Sequence, residues 1–237
     1  MLNEIFQRLL IVSPHADDEI LGCGGLMAKV LAEVPSSCVR VIVLGTTTVT
    51  NGETGIVVTT TQREKELADA IEILSFHSRC GSSIDYAVLY SGMELQLDRI
   101  GMSKIVTDLD RIIADFRPTA ALVCYASHHQ DHQITESAAI AAMRPSPSNR
   151  IPFRGLYEYG YLEAWSAGNH IRMSKFYVDI SQHLDVKLRA FQAYQSQQRP
   201  DPSDIRSLQS IEALAKARGI EAGVPYAEAF FPLSVTL

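Results

Sequence analysis

Cysteine is sparse in this 237-residue chain. Its four cysteines, Cys23, Cys38, Cys80 and Cys124, are widely spaced and form no Cys-x-x-Cys pair. That excludes a disulfide framework and a thiolate zinc knuckle, and reads as reduced, buried or half-buried thiols. Cys23 lies near an acidic motif, but a soft thiolate is unneeded beside a full nitrogen and oxygen donor set. Clustered Lys and Arg are also missing. With 21 basic and 27 acidic residues the formal net charge is -6, which argues against a nucleic-acid or anionic-membrane surface. No apolar run approaches the ~20 residues a bilayer span requires. Met1 to Arg8 lacks the basic start, apolar stretch and cleavage site of a signal peptide, so a cytoplasmic location is expected.

What is present is a dense charge cluster. Pro14-His15-Ala16-Asp17-Asp18-Glu19 follows the apolar run Leu9-Leu10-Ile11-Val12. Three adjacent carboxylates repel one another unless a cation neutralises them. One His and one Asp as ligands, with a spare Asp beside them, suit a metal-dependent hydrolase. A second cluster, Ser127-His128-His129-Gln130-Asp131-His132, follows the apolar run Ala120 to Cys124. Both clusters therefore leave the carboxyl ends of predicted core strands, the edge at which open α/β sheets bind ligands. An acidic helix start would account for Asp17, Asp18 and Glu19. It would not account for His15 or the second cluster.

Hydrophobic content of 46% supports one full core over residues 1–237. Strands are predicted over Leu9–Val12, Val39–Leu44, Asp85–Tyr90, Ala120–Cys124, Ile151–Tyr161 and Phe176–Ile180. Helices are predicted over Leu21–Val34, Gln62–Leu74, Lys104–Phe116, Gln133–Met143 and Leu184–Tyr194. The alternation implies an α/β fold, a Rossmann-like three-layer α/β/α sandwich with a mostly parallel sheet. Residues 45–61 form a Thr-rich, turn-rich loop on the ligand-binding edge, long enough to be functional or mobile. Gly22-Cys23-Gly24-Gly25 lacks the spacing of a dinucleotide loop and is read as close packing of the first long helix.

The motifs resemble those of the PIG-L/LmbE-like zinc de-N-acetylases. Pro14 to Glu19 with Gly22 to Gly25 is similar to that family's opening signature, and His129-Gln130-Asp131-His132 to its second. Gln62 to Glu66, the Val178–Ser181 region with Lys187, Ser196 and Gln197, and Gly223 to Phe230 follow in the family's order, so the resemblance covers nearly the whole chain. Gln130 and Ala16 stand where family members often carry Pro. The resemblance implies Zn²⁺ held by His15, Asp18 and His132, with Asp17 as general base and Asp131 orienting an imidazole. It also implies that His129 faces the amide as an imidazolium, and that Arg63 contacts the polar substrate; alone, Arg63 reads equally as a surface partner of Glu64 or Glu66.

Glu19 reads as a cap or salt link, His128 as a bystander, and His77, His170 and His183 as structural or solvated. Tyr157, Tyr159, Tyr161 and Trp165 could line a sugar site or the core. The expected substrate is a small-molecule N-acetylated sugar or sugar conjugate, deacetylated with release of acetate, and a homo-oligomer is allowed. An O-acetyl esterase or another amidase could use the same site. A non-catalytic metal- or nucleotide-binding domain is disfavoured, because it gains nothing from an unligated Asp17.

Overall fold

Leu9, Leu10, Ile11 and Val12 offer no polar face, so a strand built from them must be covered on both sides. The computed structural model, which describes residues 2–50, 55–125, 127–146, 149–158 and 175–236, places this run at the centre of a sheet. In chain order the elements are α1 (Leu2–Ile5), β1 (Arg8–Ser13), α2 (Asp18–Glu33), β2 (Cys38–Thr46), β3 (Val49–Thr50), β4 (Val57–Val58), α3 (Thr60–His77) and β5 (Ser83–Ser91). A 3₁₀ turn over Leu97–Arg99 precedes α4 (Met102–Phe116), β6 (Ala120–Cys124), α5 (Gln130–Ala142) and β7 (Phe153–Tyr157). β8 (Phe176–Asp179), α6 (Leu184–Gln192), α7 (Leu208–Ala222) and β9 (Ala227–Val235) complete the described chain.

The main sheet has seven strands in the order β5-β2-β1-β6-β7-β9-β8. The first five are mutually parallel, and β9 runs antiparallel to both β7 and β8. Alternate residues of β1 face opposite layers. Leu9 and Ile11 pack with α2, α3, α6 and α7, whereas Leu10 and Val12 pack with α4 and α5. The expected three-layer sandwich is thus the observed fold.

Differences lie at the boundaries. α2 begins at Asp18 rather than Leu21, and α5 at Gln130 rather than Gln133, so residues of both motifs occupy first helical turns. Acidic side chains there are favoured by the partial positive charge of a helix N-terminus. The predicted Ile151–Tyr161 strand is described only as Phe153–Tyr157, and α7, β9 and the β3–β4 hairpin had no counterpart in the periodicity. Pro232 obscures β9 in the sequence. It pairs with Gly155 at a register shift, beyond the four residues that β8 covers, where a missing N–H is tolerated. Residues 51–54 of the Thr-rich loop, and Tyr159, Tyr161, Trp165 and His170, lie outside the described residues.

The glycine run does serve close packing. A Cβ on Gly22 would stand 2.1 Å from Cδ2 of Tyr157, and one on Gly25 2.7 Å from the Ile180 side chain. α2 can lie against the sheet only without those carbons.

Candidate metal centre and active site

The sheet order explains why two motifs more than a hundred residues apart meet. From β1 the chain steps outward to β2 and β5, then returns across β1 to β6 on its other side. β1 and β6 are neighbours, with Val12 opposite Val123, and their carboxyl ends flank the point where strand order reverses. His15, Asp17 and Asp18 leave one end, and His129, Asp131 and His132 the other.

Asp18 Oδ2 lies 3.4 Å from His15 Nδ1 and 3.4 Å from His132 Nε2. Three donors placed 2.0–2.2 Å from one ion at tetrahedral angles stand ~3.4 Å apart, so the spacing suits a divalent cation such as zinc. Among the described residues, all three donor atoms lie within 4.8 Å of one another, and all three residues are buried. The far side of each ring is braced. His15 Nε2–H donates to Asp131 Oδ2 at 2.9 Å, and His132 Nδ1 lies 3.5 Å from Cys124 Sγ. A carboxylate behind a ligating imidazole fixes its tautomer and raises its basicity.

Electrostatics agree with the spacing. Burial opposes charge on His15, but hydrogen bonds to Asp131 and Asp18 and the charges of Asp18 and Glu94 outweigh it and push the ring up to about 10. Burial likewise opposes charge on Asp18, yet the charge of His132 and hydrogen bonds from both imidazoles hold its carboxyl well below the usual carboxylate range. A site that grips a proton this firmly also attracts a cation, which must displace that proton. His15, His129 and Asp131 form a second grouping of metal-ligating types. Its donors are already engaged with one another: Asp131 accepts from His15, and His129 Nδ1 accepts the Asp131 backbone N–H at 3.1 Å.

Asp17 caps α2 with φ 130°, a backbone conformation that side chains rarely adopt. Its N–H donates to Glu19 Oε2 at 3.0 Å, and its carbonyl accepts from Ile20 and Leu21 at 3.1 and 3.0 Å. Burial and the adjacent Asp18 raise its carboxyl to about 6, against the opposing charges of Arg63, Arg206 and His15. Glu19, expected as a cap or a salt link, is fully buried. It accepts from Tyr194 Oη, and burial raises its carboxyl to about 8.

His129 is the N-cap of α5, and its Nδ1 is committed as an acceptor. Burial and the charges of His15 and His132 lower the ring to about 4. The expected imidazolium is therefore a neutral imidazole whose proton sits on Nε2. The imidazole that Asp131 meets is that of His15. Its carboxylate also takes the backbone N–H of Leu95 at 2.6 Å and of Leu97 at 3.2 Å, which draws residues 94–97 over the site.

Arg63 pairs with neither Glu64 nor Glu66. Its side chain is 2% exposed, and Nη2 donates to Ala16 O at 3.1 Å and to Glu94 Oε1 at 3.2 Å. Glu64 instead accepts from Thr46 and Ser91, and Glu66 from Ser196. Arg63 borders a cavity of about 450 Å³ that is also lined by Val49, Thr50, Glu94, Arg199 and Arg206. Glu94, Arg199 and Arg206 carried no sequence signal, because they come from irregular segments far from either motif. Tyr157 belongs to the core, its hydroxyl 2.7 Å from Ser13 Oγ. His183 is buried between His77 and Glu33, which it meets at 3.2 and 2.8 Å. Cys23 is buried in the core. No helix among the described residues is long and apolar enough to cross a membrane.

Three solved structures share the fold over most of their length. The conserved protein TT1542 from Thermus thermophilus is 28% identical over 97% of this chain and 96% of its own, with a TM-score of 0.69. The N,N'-diacetylchitobiose deacetylase from Pyrococcus horikoshii is 21% identical over 98% of this chain and 87% of its own, with a TM-score of 0.68. The A40926 pseudoaglycone deacetylase Dbv21 is 21% identical over 96% of this chain and 97% of its own, with a TM-score of 0.72. The family model for the GlcNAc-PI de-N-acetylases, PIG-L, matches residues 10–143, which take in both motifs and more than half of the sequence. The chain belongs to the PIG-L family.

Proposed function

We propose that the protein is a zinc-dependent hydrolase that removes the N-acetyl group from an N-acetylglucosaminyl-type sugar or sugar conjugate and releases acetate. The observation that carries this reading is the Asp18 carboxylate standing 3.4 Å from one nitrogen of each of two braced imidazoles, with Asp17 beside it. Family membership and the likeness to the diacetylchitobiose and A40926 pseudoaglycone deacetylases support it. His15, Asp18 and His132 would hold the ion. Bound there, a divalent cation would polarise the amide carbonyl and acidify water.

The chain supplies the proton handling. Asp17, with a carboxyl near 6, takes a proton from the attacking water as the C–O bond forms. Having gained it, Asp17 returns it to the amine nitrogen as the C–N bond breaks, so one carboxyl serves as base and then acid. Neutral His129 cannot protonate the amine. Its Nε2–H instead donates to the amide oxygen as negative charge builds there. Asp131 keeps His15 in register, and Arg63 offers the substrate a buried donor, its Nε, which has no partner among the described residues.

The test is acetate release from a panel of N-acetylglucosamine, its methyl glycoside, diacetylchitobiose and an O-acetylated sugar, before and after chelation and after Zn²⁺ is added back. Acetate from the N-acetyl compounds alone, lost on chelation and restored by zinc, is the expected result. Equal or faster release from the ester would make the protein an esterase. No release from any member would remove the deacetylase reading.

A further inference from the structure

Away from the candidate centre, two histidines stand together where three helix ends meet. The 16-residue α2 starts at the centre and is roughly 24 Å long, and Glu33 is its last residue. His77 is the last residue of α3, and His183 is the N-cap of α6. The two rings are 5.4 Å apart and steeply inclined, at 79°, which puts His77 Nε2 3.2 Å from His183 Nδ1. On the other side of the His183 ring, Nε2 lies 2.8 Å from Glu33 Oε1.

The proton positions follow from these contacts. His183 is buried, and in its neutral form the Glu33 carboxylate keeps the ring proton on Nε2. Its Nδ1 then holds a lone pair on the side of His77. Burial and the charge of His183 lower the pKa of half-buried His77, so that ring too is neutral at pH 7. With its proton on Nδ1, His77 offers Nε2 as a second lone pair beside the first. Two nitrogens 2.0–2.1 Å from one ion stand roughly 3.0–3.4 Å apart between right and tetrahedral angles, and the observed 3.2 Å falls in that range. A carboxylate behind a ligating imidazole is the usual arrangement at metal-bound histidine. Other charges leave the balance even: Asp179 and Asp185 favour a cation here, whereas Arg79 and Arg189 oppose it and Lys29 shares Glu33. The two lone pairs therefore decide what binds.

We propose that His77 and His183 form a second cation site, in which His77 Nε2 and His183 Nδ1 hold a divalent ion of the zinc class, Glu33 orients His183 and water completes the shell. An ion there ties the end of α3 to the start of α6, with α2 attached through Glu33. Held by two rings, it exchanges readily and leaves on desalting, so it adds nothing to the zinc retained by His15, Asp18 and His132. The site does not rest on the deacetylase reading.

The experiment is calorimetric titration of Zn²⁺ into full-length protein already loaded with zinc and desalted, alongside His77→Ala and Glu33→Gln. One further equivalent, weaker than the first, is expected in the parent protein. His77→Ala should lose it, and Glu33→Gln should bind it about 10-fold more weakly, as removal of a carboxylate behind a ligand does. Ring ¹⁵N resonances of the parent protein supply a readout that needs no variant: His77 Nε2 and His183 Nδ1 should both shift as the second equivalent binds. Absence of a further equivalent in the parent overturns the site. So does a further equivalent that His77→Ala retains, or one that leaves both ring resonances unmoved.

Discussion

Asp17 is the residue on which local backbone, electrostatics and chemistry converge. Its φ of 130° is the kind of strain, worth about 1–3 kcal/mol, that persists only when surroundings over-determine it. Here the buried Glu19 and the first turn of α2 do so. The same burial raises its carboxyl to about 6, which fixes the sign of the pH dependence. The base must be ionised, so kcat/KM should fall as pH drops through the Asp17 pKa, and a cation bound alongside moves that limb to or below about pH 6. Asp17→Asn should lower kcat by about 10²-fold or more with metal content unchanged. Near-normal turnover in this variant at pH 7 would end the base assignment. His129, lowered to about 4, should show no ionisation near or above neutrality. His129→Ala should lower kcat by about 10²-fold, keep the metal and leave any alkaline limb in place. Disappearance of that limb would mean the ring works as an imidazolium after all.

At the scale of elements, α2 starts at the loop that carries His15, Asp17 and Asp18, and its seating depends on groups far away in sequence. Glu228 of β9 accepts from the backbone N–H of Gly25 and Leu26, at 2.8 and 2.7 Å, in the middle of the helix. Lys187 of α6 pairs with Glu228 at 2.7 Å and donates to Leu21 O at 2.6 Å. Both side chains are at least nine-tenths buried. Removing one partner strands the other, so Glu228→Ala should destabilise the fold by about 3–5 kcal/mol, read by denaturant unfolding. A loss under about 1 kcal/mol would show that water replaces the pair. The pairing was not legible in the sequence: Lys187 lies in a predicted helix and Glu228 in a family-like segment, but nothing local joins two charges 41 residues apart. The helix starts were misplaced for a related reason. Asp18, Gln130 and His132 break the apolar pattern, yet they sit in first turns where polar side chains satisfy exposed N–H groups or point at the site.

For the molecule as a whole, the sandwich and the meeting of two motifs could be read from alternating apolar runs, because a parallel sheet must bury both faces and its switch point must lie between two carboxyl ends. His15, Asp18 and His132 come together accordingly. The rest of the cavity could not be read. Glu94 is drawn in by Arg63, residues 95–97 by Asp131, and Arg199 and Arg206 arrive on an irregular loop, all through tertiary contacts that leave no local pattern. The central claim is that three residues from two strand ends form one cation site. Its most direct test is metal analysis of the purified protein and of His132→Ala after dialysis against a chelator and reloading with Zn²⁺. One zinc ion per chain in the parent protein and essentially none in the variant is the expected result. A full metal load in His132→Ala would contradict the account.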